Sequence, residues 1–186
     1  MKHLISIVGD RDVEIGSIKF EIALRISRSL VDHGYRVLTG GVGTLSRAVY
    51  KGAVLSDKYE DCSVISIVPG FDPTPAIGLS DIQIATGLDE FRNVITANSD
   101  AVVAIGGGAG TLSEIAFAWS LKRLIICVDV DGWSRELAGR RIDNRIRYPD
   151  IEEDQCFPAR DEREVMDILS KYLSYYSKRH HGIPEI

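Results

Sequence analysis

Residues 101–114 read Ala101-Val102-Val103-Ala104-Ile105-Gly106-Gly107-Gly108-Ala109-Gly110-Thr111-Leu112-Ser113-Glu114. The first five are apolar, short and partly β-branched, which predicts a buried strand. Four glycines in the next five positions predict a tight turn that can adopt positive φ and let a ligand approach the backbone. Thr111 opens an apolar helix pattern, and the free N–H groups and positive dipole end of a helix suit an anion. Strand, turn and helix start together predict a phosphate cradle built from Gly106, Gly107, Gly108, Ala109, Gly110 and Thr111. Thr111-x-x-Glu114 also fits a capping box, so Glu114 reads either as a cap or as a site residue.

The same grammar extends both ways along the chain. Leu4–Val8 predicts the first strand, ending in the polar turn Gly9-Asp10-Arg11-Asp12. Ile18–His33 predicts a helix with Ile22, Ile26 and Leu30 on one stripe, stopped by Gly34. Arg36–Thr39, Ser63–Val68, Ile82–Thr86 and Leu124–Val130 predict further strands. Helices are expected from Thr44 towards Ser56, over Leu88–Ser99, over Thr111–Leu121 and over Asp161–Tyr176. Phe71–Leu79, with Pro73 and Pro75, reads as a loop. Alternating strands and helices predict an α/β, Rossmann-like doubly wound sheet, mostly parallel, with helices on both faces. Ligands bind such sheets beyond the carboxyl ends of the strands, the edge where the glycine turns gather. Asp10 and Arg11 belong to that edge, either touching a ligand or pairing within their own turn.

A length of 186 residues suits a single domain with a full core, with Lys178–Ile186 as a frayed tail. The net charge of −5 argues against a nucleic-acid or membrane-surface partner. Neither a bilayer-length apolar run nor a signal peptide is present, so a cytoplasmic location is expected. Cys62, Cys127 and Cys156 are scattered, and Cys127 sits within an apolar run as a reduced core residue. No metal site is expected: His180-His181 lacks further clustered ligands. Arg135, Arg140, Arg141, Arg145 and Arg147 crowd one segment, which reads as a solvated loop and short helix or as a basic flap over an anionic ligand.

Gly40-Gly41-Val42-Gly43-Thr44-Leu45-Ser46 repeats Gly107–Ser113 at six of seven positions. Two such turns on one edge can hold two parts of one ligand, which adds Gly40, Gly41, Gly43 and Thr44 to the candidate site; two packing turns of similar sequence are the other account. In the helix after the second copy, Leu112, Ile115, Ala116, Phe117, Ala118 and Trp119 cover nearly the whole circumference. A second subunit covering one face, most simply in a two-fold dimer, is expected.

Several motifs are missing. No Gly-x-Gly-x-x-Gly follows the first strand, no Lys follows either glycine turn, and neither zinc spacing nor a nucleophile elbow occurs. Gly107–Glu114 instead resembles the Pro-Gly-Gly-x-Gly-Thr-x-x-Glu signature of the Lonely Guy (LOG) family, whose members were often labelled possible lysine decarboxylases. The resemblance extends to the first strand, Thr39-Gly40-Gly41, Ser99-Asp100 and the strand after Trp119. With Arg92-Asn93 and Gly-Gly-Gly-x-Gly-Thr-Leu-Ser-Glu, the chain resembles in particular a LOG-like branch similar to molybdenum cofactor carrier proteins.

LOG enzymes are phosphoribohydrolases that release the base and ribose 5-phosphate from a cytokinin nucleoside 5′-monophosphate. The resemblance implies a phosphate on the glycine motif and chemistry carried by Glu114 and Arg92, with Gly9 and Asn93 expected among the nucleotide-binding residues. Two departures stand out. The family Arg lies one residue farther from the Ser-Asp pair, where this chain has Phe91, and the motif Pro is replaced by Gly106. The decarboxylase label conflicts with the chemistry, because a pyridoxal enzyme needs a Schiff-base Lys and no lysine falls in a glycine turn. Two functions are therefore expected to compete: an N-glycosidase acting on a nucleoside 5′-monophosphate, with no cofactor required, and a non-catalytic binding protein for molybdenum cofactor or a nucleotide.

Overall fold

The computed structural model describes residues 2–176; the expectations for the tail and for His180-His181 lie outside them. Seven strands form one parallel sheet: β1 (Leu4–Gly9), β2 (Arg36–Thr39), β3 (Val64–Val68), β4 (Ile82–Ala85), β5 (Ala101–Ile105), β6 (Leu124–Val128) and β7 (Cys156–Ala159). Their spatial order is β4-β3-β2-β1-β5-β6-β7. The chain winds outward from β1 to β4, then crosses back to lay β5 beside β1, with Gly9 opposite Ile105. The switch point of the winding therefore lies between β1 and β5, where α/β sheets open a crevice.

Strand residues alternate between two cores. Ile5, Val37, Val103 and Ile126 pack under α1 (Ile18–Asp32), α2 (Gly43–Val54) and α6 (Glu162–Tyr172). Val102, Ala104, Ile125 and Cys127 pack under α3 (Asn93–Ala97) and α4 (Ala109–Ser120). Ser17 caps α1 by accepting from the Phe20 N–H, and Asp161 caps α6 by accepting from Glu164 N–H. Cys127 is buried as a free thiol.

Three segments differ from the sequence expectation. The region Leu88–Ser99 is a 3-10 turn over Asp89–Arg92 followed by the short α3. β7 carries Pro158, which a sheet tolerates at an edge where one side needs no ladder donor. The arginine-rich segment is largely bound to its own surroundings. Its short helix α5 (Trp133–Leu137) follows β6, and Arg135 bonds Asp129. Arg147 is buried against Asp154 and lies 3.6 Å above the Trp119 ring. The indole N–H of Trp119 donates to Asp143. Through Arg147 this segment covers the Trp119 end of α4, while its short helix α5 begins against the glycine turn. The segment also supplies part of the cover that the apolar helix had suggested a second subunit must provide.

Candidate functional site

A cleft of about 370 Å3 opens at the switch point. Its walls come from the end of β1 (Gly9) and the loop after it (Asp10, Arg11), the 3-10 turn (Asp89, Glu90, Arg92), Asn93, and the start of α4 (Gly108, Gly110, Thr111, Glu114), with Val42 and Pro69. Topology alone brings these distant segments together.

The glycine turn has an inner and an outer half. Gly106 and Gly107 are buried and adopt φ of +65° and +94°. The Gly106 N–H donates to Ser134 Oγ at 2.8 Å, and the Gly107 N–H donates to Asp10 Oδ2 at 3.1 Å. Their carbonyls accept from the amides of Ser134 and Trp133. Both residues are thus scaffold, which corrects the expectation that they offer amides to an anion. Proline at 106 is also excluded, because its ring fixes a negative φ and removes the N–H that Ser134 receives.

The outer half faces solvent. α4 begins at Ala109 with Gly108 as its N-cap and no side-chain cap. Thr111 is therefore inside the first turn, and the capping-box reading of Thr111 and Glu114 does not hold. Helix geometry leaves the N–H groups of Gly108, Ala109, Gly110 and Thr111 without intrahelical acceptors. Gly108 and Ala109 are exposed, and a Cβ on Gly108 would meet nothing within 4 Å.

The first glycine turn is occupied by the protein itself. Gly43, at φ +77°, leaves the space into which the Arg11 carbonyl fits. Thr44 Oγ1 donates to the Val13 carbonyl at 2.7 Å and accepts from its N–H at 2.6 Å. The Gly41 N–H donates to Thr39 Oγ1. Gly40 has no Cβ because the Arg92 guanidinium lies there, with Nη1 2.5 Å from where that atom would stand. Gly41, Gly43 and Thr44 therefore serve packing, and Val42 is the residue of this turn that lines the cleft. Gly9 admits the Ile105 carbonyl while bordering the cleft.

Arg92 and Glu114 meet at the base of the cleft, Nη1 to Oε1 3.8 Å. The one-residue offset is absorbed by the 3-10 turn: Phe91 is 81% exposed while the Arg92 side chain is only 12% exposed. Arg92 Nε and Nη1 are buried without a hydrogen-bond partner, a state that costs about 1–3 kcal/mol per group until an acceptor arrives. Glu114 is 6% exposed. Burial raises its pKa to about 7; the Arg92 charge pulls it down and the Glu90 charge pushes it up. It is thus divided between acid and carboxylate near neutral pH, as a proton-transfer group requires.

Asn93 is buried and donates to Glu90 Oε2 at 3.0 Å and Ser113 Oγ at 2.9 Å. Asp10 holds the Gly107 amide and pairs with Lys19, so its turn is a clamp on the glycine turn. The Arg11 side chain is exposed at the cleft mouth. Glu90, Lys19 and Ser134 escaped the sequence reading. Glu90 had a signal, its place two residues before Arg92; Lys19 and Ser134 had none. Among the described residues, no group of three or more His, Cys, Asp or Glu is placed to hold a metal. No described helix is long and apolar enough to cross a membrane.

The model of the SLOG cluster4 family matches residues 2–154. An uncharacterized protein of Archaeoglobus fulgidus is 37% identical over 100 residues, 53% of this chain but only 63% of that protein. A probable cytokinin riboside 5′-monophosphate phosphoribohydrolase of Oryza sativa is 25% identical over 180 residues, 88% of this chain and 81% of that one. The molybdenum cofactor binding protein of the phototrophic bacterium Rippkaea orientalis superposes with a TM-score of 0.72 at 25% identity, covering 91% of this chain and 96% of that one. The Moco carrier protein of Chlamydomonas reinhardtii shares the fold, with a TM-score of 0.72 at 22% identity over 94% of this chain and 99% of that one.

Proposed function

The chain belongs to the SLOG cluster4 family, and from that premise we propose that its cleft binds a nucleoside 5′-monophosphate and hydrolyses the N-glycosidic bond. The observation that carries this reading is the buried Arg92–Glu114 pair facing the cleft beside the open N-terminus of α4. The phosphate sits on the amides of Gly108–Thr111, where the helix dipole favours negative charge. Arg92 exchanges its poor contact with Glu114 for a charge-assisted bond to the ligand. As the base departs, positive charge builds on the ribose. The Glu114 carboxylate stabilises that charge or directs a water to the anomeric carbon. The products are the free base and ribose 5-phosphate.

A second reading is favoured by the likeness to the Rippkaea orientalis molybdenum cofactor binding protein: the same cradle holds a phosphorylated pterin or nucleotide without cleavage. Incubation with a panel of nucleoside 5′-monophosphates, followed by chromatography for free base, separates the two. Release of base that is lost in Glu114→Gln supports hydrolysis. A ligand that raises the melting temperature and is recovered intact by native mass spectrometry, with no base released, supports the carrier.

The active form is a homodimer in this reading. Phe91, Val94, Ile95 and Phe117 are exposed on the 3-10 turn, α3 and α4, and a second copy covers them. Sedimentation at micromolar concentration is expected to give twice the chain mass, and Phe117→Glu is expected to give the monomer.

A further inference from the structure

We propose that Glu90 recognises hydroxyl groups carried next to the ligand's phosphate, so that the cleft selects a sugar phosphate over a bare phosphoanion. This rests on the nucleotide reading above and specifies which part of the ligand the acid contacts.

The cradle contains a carboxylate that phosphate binding alone does not explain. Glu90 lines the cleft with Gly108, Gly110 and Arg92. Its Oε2 lies 3.5 Å from the point where a Cβ on Gly110 would stand, beside the first turn of α4. The carboxylate is also held in place. Asn93 Nδ2 donates to it and to Ser113 Oγ, and Ser113 Oγ donates to the Gly110 carbonyl at 2.7 Å. This relay fastens Glu90 to the helix that receives the anion.

An ionised carboxylate only accepts hydrogen bonds. Beside a phosphate it is repulsive unless the ligand brings a donor to it. A free phosphate dianion brings none, whereas a ribose 5-phosphate unit carries two hydroxyls a few bonds from its phosphate. Glu90 therefore disfavours simple anions and rewards a hydroxylated skeleton, which is specificity by repulsion and attraction together. A carboxylate that merely complements the helix dipole makes no such distinction.

Calorimetric titrations with adenosine 5′-monophosphate, 2′,3′-dideoxyadenosine 5′-monophosphate and inorganic phosphate test this, in a Glu114→Gln background that prevents turnover. The ribonucleotide is expected to bind at least about tenfold tighter than the dideoxynucleotide. Adding Glu90→Gln, which still accepts from Asn93, is expected to bring that ratio to within about threefold while phosphate affinity holds or rises. Nucleotides that bind with no ribose preference, or a preference that survives Glu90→Gln, overturn the proposal. Failure of both nucleotides to bind overturns the nucleotide reading itself.

Discussion

The turns at Gly40–Ser46 and Gly107–Ser113 carry nearly the same residues, each between a strand and a helix, and the protein puts them to opposite uses. The first is filled: the Arg11 carbonyl occupies the space beside Gly43, and the Arg92 guanidinium lies against Gly40. In the second, the inner glycines are tied down and the helix start is left open. A glycine-rich motif thus specifies a backbone path, and the neighbouring segments decide whether the chain itself fills it or leaves it open. What separates the two here is position. The second turn stands at the sheet's switch point, with the β1–α1 loop clamping its inner half and leaving the outer half clear.

Substitutions can break this contrast, and the largest effect is expected at the filled turn. Gly43→Ala places a methyl on the Arg11 carbonyl at positive φ and should destabilise the fold by about 3–5 kcal/mol, read by urea denaturation. Glu114→Gln should lower turnover by about 100-fold or more on any nucleotide that is hydrolysed. The same variant carries a stability signature. Glu114 has a folded pKa raised from its ordinary 4.5 to about 7, so between these values the native state holds more protons than the unfolded chain. Stability contributed by the protonated form is therefore lost as pH rises through that window, by roughly 3 kcal/mol in total. Glu114→Gln should escape this loss and melt higher than wild type at pH 8, with the gap closing towards pH 4.5. Asp10→Asn weakens the clamp on Gly107 and should cost about 1–2 kcal/mol. The smallest effect on folding is expected at the open turn. Gly108→Ala has free space for its methyl and should change stability by no more than about 0.5 kcal/mol, yet lower ligand affinity. A stability loss at Gly108 equal to that at Gly43 would erase the distinction between the two turns.

Much of the fold was legible from hydrophobic runs punctuated by glycine, and six of the strands announced themselves in that way. The seventh did not, because Cys156–Ala159 is short and contains Pro158, a residue that speaks against a strand unless the strand is known to lie at an edge. Glu114 was legible through its motif. The direction of Arg92 was not, because the choice between a 3-10 turn and an α-helix over Asp89–Arg92 rotates Phe91 and Arg92 in or out. The division of the glycine run into scaffold and cradle was hidden as well. It depends on Ser134 and Asp10, which only the folded sheet brings to the turn.

Gly106 shows where the turn obtains its order. A proline would arrive already stiff, whereas a glycine brings the most freedom of any residue and must lose it on folding. Here that freedom is removed by hydrogen bonds with the segment after β6 and held further by Asp10 on the neighbouring Gly107. Rigidity at the ligand's doorstep is therefore on loan from chain more than twenty residues downstream. In amide exchange, Gly106 and Gly107 should gain and lose protection in step with residues 132–134, so that loosening α5 unlatches the cradle with no ligand-facing atom changed.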